Sequence, residues 1–323
     1  MLRKIVKLIR DRSILWKIPK RVHLLKTYGR NIFCIKNKNI KELQIEDDMY
    51  RYLTRKYSKF IDNYQTNDNP MNINKTVWIC WMQGLEAAPE LIKACVKSVK
   101  QHLTDFNIVI LTEKNINQYV DLPSYINNKY LQGKISRTHY SDILRVAVLC
   151  DYGGLWLDAT VLCTDGKFAE RIIDLPIFAY KVMNLDINDK EPIVASSWLI
   201  SSQSNNPIML LTRDLLFEYW KENNYLKHFF LVHLFFSMAT RKFQSDWDKV
   251  PMFNNRTPHT LMFELGDKYN QDRWFEIIKM SSFHKLTRHI AYDFNDDNFY
   301  NFIINSKQKG ESLQNCKGII EKN

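Results

Sequence analysis

Apolar and polar positions along this chain follow two rhythms, a strand period and a helix period, which alternate from about residue 75 onward. Lys75-Thr76-Val77-Trp78-Ile79-Cys80-Trp81 is an aromatic and β-branched run that predicts a buried first strand. Met82-Gln83-Gly84 turns the chain, and Pro89 opens a helix through Leu91, Ile92, Cys95, Val96 and Val99. Phe106 to Thr112 predicts a second strand. Strand, helix and strand in this order make a βαβ unit, in which ligands collect at the carboxyl ends of the strands. A helical stretch at Ile126–Leu131 precedes the centre of the chain. Beyond it, strands are predicted at Val161–Thr164, Pro176–Lys181 and Ile193–Ser201. Apolar helices are predicted at Ile208–Trp220 and Leu226–Ala239. Asn67-Asp68-Asn69-Pro70 is a loop signal that separates a polar, helical segment, residues 1–70, from a main domain at 71–290. From residue 291 to 323 the chain turns polar and reads as a surface helix or frayed tail.

The most informative stretch lies just before the middle. Ser141-Asp142-Ile143-Leu144-Arg145 is followed by Tyr152-Gly153-Gly154-Leu155-Trp156-Leu157-Asp158-Ala159-Thr160. Asp142 and Arg145, at i and i+3, share a helix face. Gly153-Gly154 ends that helix where positive φ or close backbone approach is wanted. Leu155 to Leu157 is then a short buried strand that ends on the carboxylate of Asp158. A lone carboxylate there is costly to fold unless something binds it.

S-D-x-x-R, a Gly-Gly turn and an apolar strand ending in a D-x-D-like triplet resemble the sugar-nucleotide site of glycosyltransferase family 32. The variant G-G-x-W-x-D-A-T is similar to the branch known as capsular polysaccharide synthesis proteins. The resemblance implies an α/β fold of the GT-A type, Rossmann-like and single-domain, with the N-terminal segment as a helical extension. It also implies a nucleotide-sugar donor, UDP-linked, and transfer with retention. A divalent metal, Mn²⁺ or Mg²⁺, would bridge the diphosphate. This chain departs from the triplet, because Thr160 stands where the second acid is expected. A hydroxyl can ligate such a cation but brings no negative charge.

Carried onto these residues, the resemblance assigns Asp142 and Arg145 to the donor's sugar and phosphate, with Ser141 beside them. Asp158 would meet the metal or the ribose, with Thr160 as a second ligand. Trp81, three residues before Gly84, matches the tryptophan that stacks on the donor's base, and the resemblance places Gly84 with it in the substrate site; a core role for Trp81 is the alternative reading. Trp78 points to the other sheet face by alternation and reads as core. Ser282-Phe283-His284-Lys285-Leu286-Thr287 resembles an H-K-L-T stretch near the end of the branch. His284 would complete the metal shell and Lys285 would meet the diphosphate; a surface His-Lys pair is the alternative. Ser197 is placed along the sugar pocket by the same resemblance. His233, among bulky apolar neighbours, reads as a core histidine.

Charge bears on partners. The 323 residues carry a formal net charge of +11, and residues 1–30 hold ten Lys/Arg against the single acid Asp11. Leu2, Ile5, Val6 and Ile9 fall at helical spacing among these bases. They form either an amphipathic helix suited to an anionic membrane surface or a brace packed on the main domain. Acids at the centre of the pattern argue against nucleic acid as the ligand. The six cysteines are scattered without C-x-x-C spacing and read as reduced and buried, as in a cytoplasmic protein. No run reaches the roughly eighteen apolar residues of a spanning helix. The resulting expectation is a sugar transferase on the inner face of the membrane, acting on a lipid-linked oligosaccharide acceptor. A toxin-like protein glycosyltransferase and a non-catalytic membrane or nucleic-acid binder are the alternatives.

Overall fold

The computed structural model describes residues 38–66, 69–182, 192–290, 292 and 297–305. The basic stripe at Leu2–Ile9 lies outside them. Helix α1 (Lys38–Asp62) comes first. Strand β1 (Thr76–Cys80), helix α2 (Glu90–His102) and strand β2 (Asn107–Leu111) follow and form the expected βαβ unit. The central helix α3 (Arg137–Asp151) leads into β3 (Gly154–Leu157) and β4 (Val161–Cys163). Then come β5 (Ile177–Lys181), β6 (Ala195–Ser202), α4 (Pro207–Glu222) and α5 (Leu231–Lys242). Strand β7 (Phe283–Lys285) and helix α6 (Phe299–Asn305) come last.

Five strands form one sheet in the order β2-β1-β3-β6-β5. β2, β1 and β3 run parallel, whereas β6 is antiparallel to both β3 and β5. This is the α/β class that the alternating rhythm predicts. The carboxyl ends of β1 and β3 therefore open on the same edge of the sheet, which brings Trp81 and Asp158 to one side. A separate two-stranded ladder pairs β4 with β7 antiparallel and sets Val161 opposite Lys285. Leu286 N–H also donates to the Thr160 carbonyl at 2.9 Å, which fixes the late strand beside the Asp158–Thr160 turn.

β3 is buried along its whole length, and the two glycines make its central position possible. Gly153 has φ +71° and Gly154 φ +105°, a region that side chains strain to adopt. A Cβ on Gly154 would lie 2.4 Å from the Thr76 carbonyl oxygen, and one on Gly153 2.6 Å from the Ser204 nitrogen. Both reasons named for the Gly-Gly pair, positive φ and close approach, therefore apply. Trp78 is buried and donates from Nε1 to the Gly153 carbonyl at 2.8 Å, so it locks the turn from the core side.

Three expectations change. The second apolar helix starts at Leu231 rather than Leu226, and His228 precedes it. The segment 1–70 is not simply polar: Met49, Leu53 and Tyr57 of α1 sit at i, i+4 and i+8 and are buried in the main core. Nor does a polar tail begin at 291. Phe299 and Ile303 of α6 are buried in a second apolar cluster with Trp274 and Leu286, so the packed unit continues to this helix. Apolar residues four apart on one face, spread through polar neighbours, are enough to dock it.

The glycine geometry yields a test. Gly154→Ala is expected to lower stability by about 3 kcal/mol or more, through strain and a backbone clash in a central strand. Urea unfolding measures it, and a wild-type midpoint would contradict the packing described for this turn.

Candidate functional site

At the sheet edge, helix α3 and the β3 exit face each other across a chain of alternating charges. Ser136 caps α3 by accepting from the His139 N–H at 3.2 Å. His139, Asp142 and Arg145 recur every third residue and so project from one side of it. Arg145 is 4% exposed. Its guanidinium donates from Nη1 to Asp142 Oδ1 at 2.7 Å and from Nη2 to Asp158 Oδ1 at 2.9 Å. It also lies over the Trp156 ring, 5.0 Å from the centroid. Trp156 Nε1 donates to the same Asp158 oxygen at 3.1 Å, because residues two apart on a strand share a side.

Lys285 closes the chain from β7. Its ammonium donates to Asp158 Oδ2 at 2.8 Å and to Thr160 Oγ1 at 2.7 Å. Asp158 is therefore not a lone carboxylate: both oxygens are held, and two cations flank it. Burial alone would raise its pKa, but Lys285 and Arg145 outweigh burial and hold it down at about 2. Asp142 is likewise lowered, because Arg145 and His139 overcome the effect of burial. Arg145 is raised in turn by the two carboxylates against its own desolvation. At neutral pH Asp142, Arg145 and Asp158 are therefore all ionised. Trp220 Nε1 donates to His139 Nε2 at 3.0 Å, which assigns the imidazole proton to Nδ1, 3.6 Å from Asp142.

These residues line a cavity of about 450 Å³. Trp81, Ser141, Asp142, Arg145, Asp158, Thr160 and Lys285 all border it, so seven residues singled out in the sequence converge on one place. Trp81 is partly buried at the mouth of β1, with the Arg288 guanidinium 5.4 Å from its ring centroid. The Cys80 thiol also borders the cavity, but burial pushes its pKa up to about 11 and leaves it protonated. A larger cavity of about 670 Å³ lies elsewhere, against α2 and α6. It is bordered by Glu86, Glu90, Lys93, Lys97 and Lys100, of which Glu90 and Lys93 pair at 2.9 Å with side chains 52% and 34% exposed; Asp142, Arg145, Asp158 and Lys285 do not border it.

Three expected residues fall outside the site. His284 is fully buried on the side of β7 opposite Lys285, its Nε2 3.3 Å from Thr164 Oγ1. Burial lowers its pKa to about 4, so it is a neutral core imidazole and cannot join Asp158 around a cation. Gly84 does not border the cavity. With φ +82° it shapes the turn after β1, where its N–H donates to the Trp81 carbonyl at 2.9 Å. Ser197 is half-buried in β6 and does not border the cavity either. Its neighbour Trp198 reaches the rim through an edge contact with His259, 5.8 Å between centroids. His233 borders no part of the cavity, and burial lowers its pKa to about 4, in keeping with a core histidine.

The sequence reading missed His139, Arg137, Arg288 and His259. His139 carried a signal, since it precedes Asp142 by three on the same helix. Arg288 follows Lys285 by three, but only the β4–β7 pairing brings it near Trp81.

The resemblance implies a divalent metal, and the donors can be tested against that. A hard cation needs several free oxygen ligands. Here one carboxylate and one hydroxyl face the position, and Lys285 occupies both. Among the described residues no group of three or more His, Cys, Asp or Glu could hold a metal. The donor set does not fit a divalent cation.

The chain belongs to the family of capsular polysaccharide synthesis proteins, whose model matches residues 21–303. A curated relative, the O-glycosyltransferase braB of Annulohypoxylon truncatum, is 27% identical over 116 residues. That match covers 33% of this chain and 28% of the relative, so it spans under a third of the fungal protein's length. A solved structure, the PaToxG glycosyltransferase, matches 63% of this chain and 81% of its own at 19% identity and a TM-score of 0.37.

Because Arg145 serves two part-buried acids, its loss leaves Asp142 without its arginine and Asp158 with Lys285 alone. Arg145→Met is expected to cost about 3–5 kcal/mol of stability. In a cycle with Asp142→Asn the coupling is expected at about 1–3 kcal/mol. Additive denaturation midpoints would make the two residues independent.

Proposed function

We propose that this protein is a glycosyltransferase of the GT-A type that moves a sugar from a nucleotide-sugar donor to a surface-polysaccharide acceptor. One observation carries the reading: the charged chain Asp142–Arg145–Asp158–Lys285 borders a cavity at the carboxyl ends of parallel strands, beside the Trp81 ring. Each part has a use. The indole gives a nucleobase a flat apolar face. Asp142 and Asp158, held ionised, accept hydrogen bonds from sugar hydroxyls. Arg145 keeps both acids charged and aligned, and Lys285 and Arg288 present positive charge to a diphosphate.

In the transfer, the bond between the anomeric carbon and the diphosphate oxygen breaks, and its electron pair stays on that oxygen. The acceptor hydroxyl oxygen forms the new bond to the anomeric carbon and releases its proton to water. Charge accumulates on the departing diphosphate, and fixed cations placed before the reaction stabilise it most. The family's role in capsule synthesis favours an oligosaccharide acceptor. A lipid-linked acceptor at the inner membrane face, a UDP-linked donor and retention of configuration extend the same proposal. Among the described residues no helix is long and apolar enough to cross a membrane. Recruitment is assigned to the basic stripe at residues 2–9, on its spacing of apolar and basic positions.

Hydrolysis of a panel of nucleotide sugars tests the donor. One donor is expected to turn over, and Asp158→Asn is expected to lower that rate by about 10²-fold, the scale for one preorganised electrostatic group. Wild-type turnover in the variant would remove Asp158 from the site. Recruitment has its own test, in which deletion of residues 2–10 abolishes sedimentation with anionic vesicles and leaves donor hydrolysis intact. Wild-type binding is expected to weaken as salt rises. Undiminished sedimentation of the deletion variant would place the anchor elsewhere.

A further inference from the structure

We infer that the donor's diphosphate is bound without a divalent metal, with the Lys285 ammonium in the position a metal would take. The inference rests on the nucleotide-sugar reading and deepens it. Asp158 and Thr160 are the two motif positions that would grip a cation, and a cation already bridges them. It is the protein's own. Lys285 arrives from a strand 125 residues beyond Thr160, held in register by the β4–β7 ladder, so its place is built into the fold.

Two further observations support it. An ammonium has three N–H donors. Asp158 and Thr160 take two, and the third remains for a ligand oxygen in the cavity that Lys285 borders. The charge of the cavity points the same way. Among the described residues, Arg137, Arg145, Lys285 and Arg288 border it against Asp142 and Asp158, an excess of positive charge before anything binds. A site designed around a divalent metal needs excess acid; this one has excess base and suits an anion directly. Thr160 belongs to the same arrangement. A second carboxylate there would bind Lys285 as another counter-ion and reduce the positive charge offered to the diphosphate. As the anomeric C–O bond breaks, the electron pair left on the diphosphate oxygen is met by this ammonium.

The experiment measures binding of UDP, GDP, ADP and TDP to the full-length protein by calorimetry, in excess EDTA and in Mn²⁺. One nucleotide is expected to bind equally in both, within about threefold. Lys285→Ala is expected to weaken that binding in EDTA by about tenfold or more. Binding that appears only with Mn²⁺ overturns the inference and leaves the glycosyltransferase reading standing. No binding of any nucleotide under either condition overturns the donor reading and this inference with it. Should Lys285→Ala fail to fold, the comparison of EDTA with Mn²⁺ in the unaltered protein decides alone.

Discussion

Arg145 is the residue on which the site depends. It is buried, its charge is permanent, and the two carboxylates that compensate it come from different elements: Asp142 one helical turn before it, Asp158 at the exit of β3. A guanidinium in such surroundings is tolerable only when its charge is compensated. The fold must therefore hold helix α3 and strand β3 at one fixed separation. The Gly153–Gly154 turn does that, by letting the chain reverse against the Thr76 and Ser204 backbones. Local backbone chemistry thus sets the distance across which the charges meet.

The rest of the molecule serves this geometry at longer range. Parallel pairing of β1 and β3 brings Trp81 to the edge where Asp158 emerges. The small β4–β7 ladder carries Lys285 back to Asp158 across 127 residues of sequence. Trp220, far along α4, fixes the tautomer of His139 and turns its Nδ1 toward Asp142, 3.6 Å away. Signs alternate along Asp142, Arg145, Asp158 and Lys285, so loss of an inner member leaves two neighbours short of a partner. That is why coupling rather than additivity is expected.

Much of this was legible in the residues. The βαβ rhythm, the Gly-Gly turn and the i,i+3 spacing of Asp142 and Arg145 are local signals, and local geometry realises them. What was not legible depends on long-range pairing. His284 and Lys285 are adjacent, so on a strand they must face opposite ways, and only the pairing with β4 decides which one reaches Asp158. Sequence spacing favoured neither. The burial of Phe299 and Ile303 was hidden for a similar reason: a short apolar face in a polar stretch docks only because Trp274 and Leu286 are there to receive it. Asp158 looked unpaired because neither of its cationic partners is its neighbour in sequence.

These charges, with Trp81, are proposed to form a nucleotide-diphosphate site. A crystal structure of the full chain soaked with the nucleotide it binds, in the presence of Mn²⁺ and with data at the manganese edge, tests it most directly. The base is expected against Trp81, the diphosphate in hydrogen-bond contact with Lys285, and no anomalous peak at Asp158. A nucleotide seated in the neighbouring cavity lined by Tyr130 and Tyr140, or a manganese peak bridging Asp158 and Thr160 with Lys285 displaced, would contradict it.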